Sequence, residues 1–180
     1  MKKTVVLVGS GVVSIPPRAG GATELIIYEI SRKMPKDMLS VYVFDRKESH
    51  NKRNEIIDGA FYIRYKVPKF GNVFVLRLTE FIFGMRALKK IREISGRTRV
   101  DIVHAHTVFS SLPFALLKWL VPGKAKLIYT CHNPAWTAED RMDFLNGIIM
   151  KIEGYVMRRF DFVTTVSDTM KESIIKKGRI

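Results

Sequence analysis

Glycines and histidines follow the ends of three short apolar stretches, and few other residues in the sequence are suited to chemistry. They are Gly20-Gly21 downstream of residues 4–8, His104 and His106 at the close of residues 101–104, and Thr130 and His132 at the close of residues 126–130. Ligands of open parallel sheets bind in the crevice beyond the carboxyl ends of the strands. If the three stretches are neighbouring strands, these residues form one site.

The histidines are the residues whose chemistry can be stated most directly. As a neutral imidazole, His132 can exchange hydrogen bonds with a sugar hydroxyl, and as an imidazolium it can face a phosphate. The alternative is an ordinary hydrogen-bonded loop residue. Of His104 and His106, we expect one to pack or hydrogen-bond at the sheet edge and the other to meet substrate. No further histidine or carboxylate has a recognised metal-ligand spacing, so no metal site is predicted.

The glycine pair predicts a helix start that a ligand can approach. Gly20 and Gly21 carry no Cβ, and a helix N-terminus presents free N–H groups that suit a phosphate or a sugar hydroxyl. The alternative is a loop that needs positive φ angles. The sequence contains neither the dinucleotide fingerprint, nor a Walker A loop, nor the G-x-S-x-G elbow of serine hydrolases.

Apolar runs between turn residues predict strands that alternate with helices. The predicted strands are residues 4–8, 39–44, 60–66, 101–104, 126–130 and 162–166. The predicted helices run from Gly20-Gly21 to about Met34, over 73–94, over 108–120 with Pro113 in the first turn, over 142–160, and from Asp168 after a Ser167 cap. The charged residues 45–54 are expected to form an exposed loop. This alternation predicts an α/β fold with a mainly parallel sheet and helices on both faces.

The composition fits one intracellular domain. The chain has 180 residues, of which 47% are hydrophobic, and no apolar run approaches membrane-spanning length. The N-terminus does not resemble a signal peptide. Cys131 is the single cysteine, which excludes an internal disulfide and leaves either a reactive thiol or a small buried residue. The absence of Gln beside abundant Lys, Arg and Glu indicates a thermophilic source.

Positive charge is concentrated in one part of the chain. The net charge is +14, and residues 62–99 hold ten Lys or Arg against Glu80 and Glu93. Such a stretch favours nucleic acid, acidic lipid or phosphorylated partners, although a solvated face is equally compatible. Within it, residues 81–83 are apolar on all sides of a predicted helix, which indicates either burial or contact with lipid.

Taken together, the motifs resemble the N-terminal half of a family 4 glycosyltransferase, a retaining enzyme with two Rossmann-like domains in the GT-B arrangement. The motifs are PRAGGA at 17–22, DIVHAH at 101–106, LIYTCH at 127–132 and DFVTTVS at 161–167. Each is weak alone, but their order and distances are fairly specific. The resemblance covers nearly the whole chain, from Thr4 to about Lys177.

This resemblance implies a Rossmann-like three-layer sandwich over residues 1–180 that forms the acceptor side of the enzyme. It implies that Gly20 and Gly21 lie over the cleft near the donor phosphate and that His132 faces the transferred sugar, as the catalytic residue. The pair of His104 and His106 would line the acceptor side. Of the two, His106 would bind substrate, and so would Thr130. Members of the family use a nucleotide-sugar donor and usually no metal, so no cofactor is expected.

One departure limits these expectations. The nucleotide-binding C-terminal domain of the family is absent from the 180 residues, so we expect the chain alone not to transfer sugar. The basic stretch 61–99 fits members with a lipid-linked acceptor, in a cytoplasmic protein at the inner face of the membrane. The alternatives are a non-catalytic basic module that binds membrane or nucleic acid, and half of a sugar-nucleotide epimerase. Nucleic acid is disfavoured because the aromatic residues lie within apolar runs.

Overall fold

The computed structural model describes residues 2–18, 20–68, 72–132 and 144–176, which form strands and helices in alternation. The strands are β1 (Lys3–Val8), β2 (Leu39–Lys47), β3 (Asn54–Ile57), β4 (Ala60–Lys66), β5 (Ile102–Ala105), β6 (Lys126–Cys131) and β7 (Phe162–Thr165). The helices are α1 (Ala22–Lys33), α2 (Val73–Ser95), α3 (Val108–Leu116), α4 (Phe144–Arg159) and α5 (Asp168–Lys176), with a short 3₁₀ turn at Lys118–Leu120. Most of the predicted elements are therefore present.

The described strands form one sheet in the order β3-β4-β2-β1-β5-β6-β7. Every neighbouring pair is parallel except β3 with β4, which form an antiparallel hairpin. This confirms the mainly parallel sheet. The chain moves outward from β1 in one direction and then from β5 in the other, so the order reverses between these two strands. Such a switch point is where open α/β sheets bind ligands.

Strand β1 divides the core into two layers. Val5 and Leu7 pack in the cluster beneath α1, whereas Val6 and Val8 pack in the larger cluster beneath the other helices. A strand covered on both faces must be apolar at successive positions, which explains the uninterrupted apolar run. With α1 on one face and α2, α3 and α4 on the other, the domain is a three-layer α/β/α sandwich.

Two glycines allow the long helix α2 to approach its neighbours. A Cβ at Gly84 would lie 2.3 Å from the carbonyl oxygen of Ser110, so the backbones of α2 and α3 are in direct contact. A Cβ at Gly11 would lie 2.6 Å from Cγ of Phe83, which brings the loop after β1 onto the same helix. Any larger side chain at either position would push α2 away.

The expected exposed loop over residues 45–54 is wrong in two respects. Strand β2 continues to Lys47, with Asp45 1% exposed and Arg46 9% exposed, and Asn54–Ile57 pairs with β4 as the extra strand β3. Charge suggested a solvated loop, but both charged side chains have partners inside the fold.

The helix expected over residues 108–120 ends at Leu116, and a 3₁₀ turn follows it. Pro113 lies in its second turn, because the helix starts at Val108. The Ser167 cap of α5 is confirmed by a 3.2 Å hydrogen bond from Met170 N to Ser167 Oγ. The expected helix start at Met142 lies outside the described residues.

A buried ion pair connects β2, β4 and the loop after β1. Arg64 Nε donates to Asp45 Oδ2 at 2.6 Å, and Arg64 Nη2 donates to the carbonyl of Ile15 at 3.0 Å. The N–H of Ile15 donates back to Asp45 Oδ1 at 2.9 Å. Burial raises the pKa of Asp45 to about 7, even though Arg64 and two backbone N–H groups act in the opposite direction. Desolvation is therefore the main cost of this arrangement.

We predict that Arg64→Met destabilises the fold strongly, because it leaves the Asp45 carboxyl buried without its cation. Removal of one partner of a buried pair lowers the free energy of unfolding by about 3–5 kcal/mol. The matched control is Arg32→Met, which breaks the exposed ion pair with Glu29 and should change little. Chemical denaturation measures both variants. Equal stability of the two would contradict the assignment.

Candidate functional site

The predicted site residues lie at the carboxyl ends of β1, β5 and β6, which are consecutive in the sheet. The loop from Gly9 to Gly21 follows β1, His104 lies within β5 and His106 directly follows it. Thr130 lies near the end of β6, and His132 follows the strand. The structure therefore brings the histidines together at the switch point. The loop that contains the glycine pair follows β1, the strand next to β5.

The glycine pair has the backbone conformation that its sequence suggests. Gly20 has φ 67° and Gly21 has φ 86°, so the loop itself favours glycine at both positions. Gly21 is the N-cap of α1, and no side chain of the described residues caps that helix end. A Cβ on Gly20 would meet nothing within 4 Å. The start of α1 is thus open to a ligand, although Ala19 of the same motif lies outside the described residues.

A buried carboxylate, that of Glu24, hydrogen-bonds to the start of this loop. Ser10 Oγ donates to Glu24 Oε1 at 2.5 Å and accepts from the N–H of Val12 at 3.0 Å. Both Ser10 and Glu24 are 4% exposed, and Glu24 Oε2 would lie 3.0 Å from a Cβ at Gly21. Sequence reasoning missed this pair, because an acidic residue in a first helical turn is normally explained by the helix dipole.

The three strand-end histidines contact one another. The rings of His104 and His106 have centroids 4.1 Å apart, and those of His106 and His132 are 5.4 Å apart. His106 Nδ1 lies 3.1 Å from His132 Nε2. His106 is 2% exposed, whereas His132 is only partly buried. His104 is also partly buried, but its Nε2 is hydrogen-bonded to Thr130, so within this histidine cluster (His104, His106 and His132) we take His132 as the ring available to a ligand.

Thr130 belongs to the same network but is turned inward. Its Oγ1 lies 2.6 Å from His104 Nε2 and 2.7 Å from Oγ1 of Thr164, and the residue is 6% exposed. Sequence reasoning did not single out Thr164. Of the expected pair, His104 is the histidine that hydrogen-bonds within the sheet edge, and His106 contacts His132.

Burial keeps the histidine cluster neutral near pH 7. Desolvation, with the nearby His132, lowers the pKa of His104 to about 4. Desolvation and the two neighbouring imidazoles place the pKa of His106 well below its usual value, and burial also lowers the pKa of His132. Each ring therefore has one N–H donor and one lone pair, which suits hydroxyl and carbonyl groups.

The neutral cluster favours one tautomer of His132. His106 Nε2 is buried and has no hydrogen-bond partner among the described residues. A buried orphan N–H is rarer than an orphan acceptor, so we assign the His106 proton to Nδ1, from which it donates to His132 Nε2. His132 then carries its own proton on Nδ1. This assignment leaves the Nδ1–H of His132 as its remaining hydrogen-bond donor.

The thiol near the site, that of Cys131, is buried and has a hydrogen-bond partner. Cys131 is fully buried, and its Sγ lies 3.4 Å from Glu153 Oε1, which also accepts from the hydroxyl of Tyr129 at 3.0 Å. This favours the structural interpretation of the cysteine. Over the part of the chain that the structure describes, no group of three or more His, Cys, Asp or Glu residues could hold a metal ion.

The model of the family described as Glycosyltransferase Family 4 matches residues 20–180, which include the glycine pair and all three clustered histidines. The chain belongs to glycosyltransferase family 4. This confirms the resemblance carried by the four motifs and favours a transferase over half of an epimerase. Among curated proteins, none matches the family 4 chain significantly.

Solved structures show the same fold. Sucrose-phosphate synthase from Thermosynechococcus elongatus matches 98% of the chain with TM-score 0.72 and 12% sequence identity. A second structure of that synthase, from a twinned crystal, matches 96% of this chain and 81% of its own, with TM-score 0.64 and 11% identity. The family 4 chain spans 45% of the first synthase chain. These matches confirm a Rossmann-like half of the GT-B arrangement.

The neutral histidines predict a loss of stability in acid. The pKa of His104 is about 4 in the folded protein against 6.5 ordinarily, so the unfolded chain takes up its proton first as the pH falls. The stabilisation is complete above pH 6.5 and is lost progressively toward pH 4, by on the order of 3 kcal/mol for this residue. The raised pKa of Asp45 acts in the opposite direction over the same pH range, so the loss is measured as the difference between the parent chain and His104→Gln in chemical denaturation at pH 7 and pH 4.5.

The control for this prediction is substitution of a histidine outside the cluster. Between pH 7 and pH 4.5, His104→Gln should lose less stability than the parent chain, while His50→Gln, in the turn after β2, should match the parent chain. If His104→Gln retained the full loss between pH 7 and pH 4.5, the buried neutral state of His104 would be wrong.

Proposed function

We propose that the chain is the acceptor-side N-terminal domain of a retaining glycosyltransferase, which moves a sugar from a nucleotide-sugar donor to an acceptor. The observation that carries this proposal is the neutral histidine cluster at the switch point, next to an uncapped helix start. Family 4 membership supports it. Neutral donors and acceptors suit the hydroxyl-rich surface of a sugar, and the free N–H groups of α1 suit a phosphate.

In the proposed reaction, His132 holds the transferred sugar through its Nδ1–H. His106 fixes the tautomer and the ring plane of His132 through their 3.1 Å contact, so it acts as a positioning residue. We assign no general base to the chain, because retention would proceed with assistance from the phosphate of the donor. Catalysis would depend on positioning and on stabilisation of the leaving diphosphate, to which the N–H groups at the start of α1 would contribute.

The donor side of the proposed reaction requires a second domain. The nucleotide would bind mainly to a C-terminal domain outside these 180 residues, in keeping with the 45% of the synthase chain that is covered. The 180-residue chain should therefore fold without transferring sugar at an enzymatic rate of about 1 s⁻¹ or more.

We also propose that the acceptor is lipid-linked and that α2 contacts the membrane peripherally. Four apolar side chains of α2, spaced four, four and three residues apart, are exposed: Phe74 by 78%, Leu78 by 48%, Ile82 by 41% and Met85 by 37%. Phe83, in contrast, is buried, so the apolar middle of the helix is divided between core and surface. No helix of the described residues could span a bilayer.

The next exposed turns of α2 carry Arg86 and Lys89. A helix with an apolar stripe beside basic residues can lie on an anionic bilayer, with the apolar side chains in the interface and the cations at the headgroups. This face would bring a lipid-linked acceptor to the edge of the cleft.

We predict that His132→Ala in the full-length enzyme lowers kcat about tenfold to a hundredfold with little change in melting temperature. The reason is the loss of a hydrogen bond that is strongest in the transition state. His50→Ala serves as the matched control and should leave kcat unchanged. Steady-state kinetics and thermal melting measure both variants. A normal kcat with a large fall in melting temperature would show that His132 is structural.

The positioning role proposed for His106 makes a second prediction for steady-state kinetics. The amide nitrogen of Asn can replace Nδ1 of a histidine, so His106→Asn should retain more activity than His106→Leu. The difference should appear in kcat rather than in KM. Equal activities in the two variants would argue that His106 only fills space.

The membrane proposal predicts co-sedimentation with anionic vesicles that weakens as salt rises. Leu78→Ser with Ile82→Ser should reduce binding about tenfold, because two exposed apolar side chains no longer enter the interface. Charge reversal at Arg86, Lys89 and Lys90 should weaken binding as well. The control is Ile148→Ser with Ile175→Ser, which alters exposed isoleucines on α4 and α5. Absence of vesicle binding at low salt would refute this contact.

A further inference from the structure

A cavity of about 700 Å³ lies at the outer part of the sheet, between β4 and the second half of α2. It is separate from the histidine cluster. Strand β4 is three strand spacings from β5 in the sheet order, which corresponds to about 14 Å. We call it the edge cavity. Its volume is that of a site for a small organic molecule rather than for a single ion.

The lining of the edge cavity is strongly basic. It comprises seven cationic side chains and one carboxylate, that of Glu93, together with uncharged residues such as Tyr65. The cationic residues are Lys47, Arg53, Arg64, Lys66, Arg86, Lys89 and Lys90. They come from the ends of β2 and β4, from the start of β3 and from α2, so the tertiary fold collects them.

Most of these cations lack an acidic partner. Arg64 pairs with Asp45 and with Glu55, and Lys90 pairs with Glu93. Among the described residues, no carboxylate lies within ion-pair distance of the other five, which are Lys47, Arg53, Lys66, Arg86 and Lys89. Cations on an ordinary solvated face are dispersed among acids. Here they converge on one concave space, where the potential is focused.

Several cavity residues are held in place rather than free to move. Arg86 Nη1 donates to the carbonyl of Lys66 at 2.9 Å, which fixes the helix against the end of β4. The ring of Tyr65 stacks on Phe44 at 6.2 Å and meets the edge of Phe83 at the same distance. Burial raises the pKa of Tyr65 to about 12, so its phenol remains a neutral hydrogen-bond donor near pH 7.

We propose that the edge cavity binds phosphate groups, carried either by a soluble phosphorylated compound or by an anionic lipid headgroup. Converging ammonium and guanidinium groups make short, charge-assisted hydrogen bonds to phosphate oxygens. The edge cavity lies between β4 and α2, whereas the proposed leaving phosphate faces the start of α1 after β1, so the two phosphates would occupy different places. The site does not require the proposed transfer reaction, and its binding can be measured without a donor.

The test uses inorganic pyrophosphate as the soluble probe and phosphatidylglycerol vesicles as the headgroup probe. Titration calorimetry with the chain should show saturable pyrophosphate binding that weakens as salt rises. The variant Lys66→Ala with Lys89→Ala should weaken binding about tenfold or more, since two charge-assisted contacts are lost. The matched control, Lys124→Ala with Lys151→Ala, removes the same charge from exposed sites elsewhere and should bind normally.

The results distinguish three cases: a soluble ligand, a lipid headgroup and the absence of a specific phosphate site. Pyrophosphate binding that depends on Lys66 and Lys89 supports a soluble ligand. Loss of vesicle binding in Lys66→Ala alone, without pyrophosphate binding, supports a lipid headgroup in the edge cavity, because Lys66 lies on β4 and not on the face of α2 proposed to contact the membrane. Equal weakening by the control variant would reduce the effect to net charge and overturn the site, as would absence of binding to both probes. Because all four lysines are exposed, melting temperatures should not change.

Discussion

The contact between Asp45, Arg64 and Ile15 is the constraint on which the position of the proposed site depends. It joins the end of β2, the middle of β4 and the loop after β1 through side-chain and backbone hydrogen bonds that exclude water. Ile15 lies in the loop that leads to the glycine pair, so this contact fixes the first half of that loop. Charge burial of this kind adds little net stability, but it specifies one geometry for the loop.

Local patterns in the sequence predicted the elements, but not the polar contacts between them. The apolar run of β1 and the glycines before α1 predicted a strand, a turn and a helix, because each depends on neighbouring residues. Asp45 was assigned to an exposed loop, since its partner Arg64 is nineteen positions away and a sequence does not reveal which distant charges meet. The Ser10–Glu24 hydrogen bond was missed because an acidic residue in the first turn of a helix is normally explained by the helix dipole. Strand β3 was missed because it has four residues and none is fully buried.

The two candidate sites differ in their electrostatics. The histidine cluster is desolvated and uncharged, so it can recognise hydroxyl and carbonyl groups by direction. The edge cavity is open and lined by cations, which favours anions. Within the histidine cluster the sequence predicted which residues meet, because the carboxyl ends of parallel strands must converge. It did not predict their tautomers, which depend on the burial of His106 Nε2.

The contact at Gly84 has a mechanical consequence. Helix α3 begins two residues after His106, and Thr107 accepts from the N–H of Ser111 at 3.0 Å, so the first turn of α3 is continuous with the strand end that carries this histidine. Through Ser110, that turn bears on the backbone of α2 with no side chain between them. The face of α2 that we propose meets the membrane and the segment bearing His106 are therefore connected through a direct backbone contact. A displacement of α2 on binding would shift the strand end that carries His106.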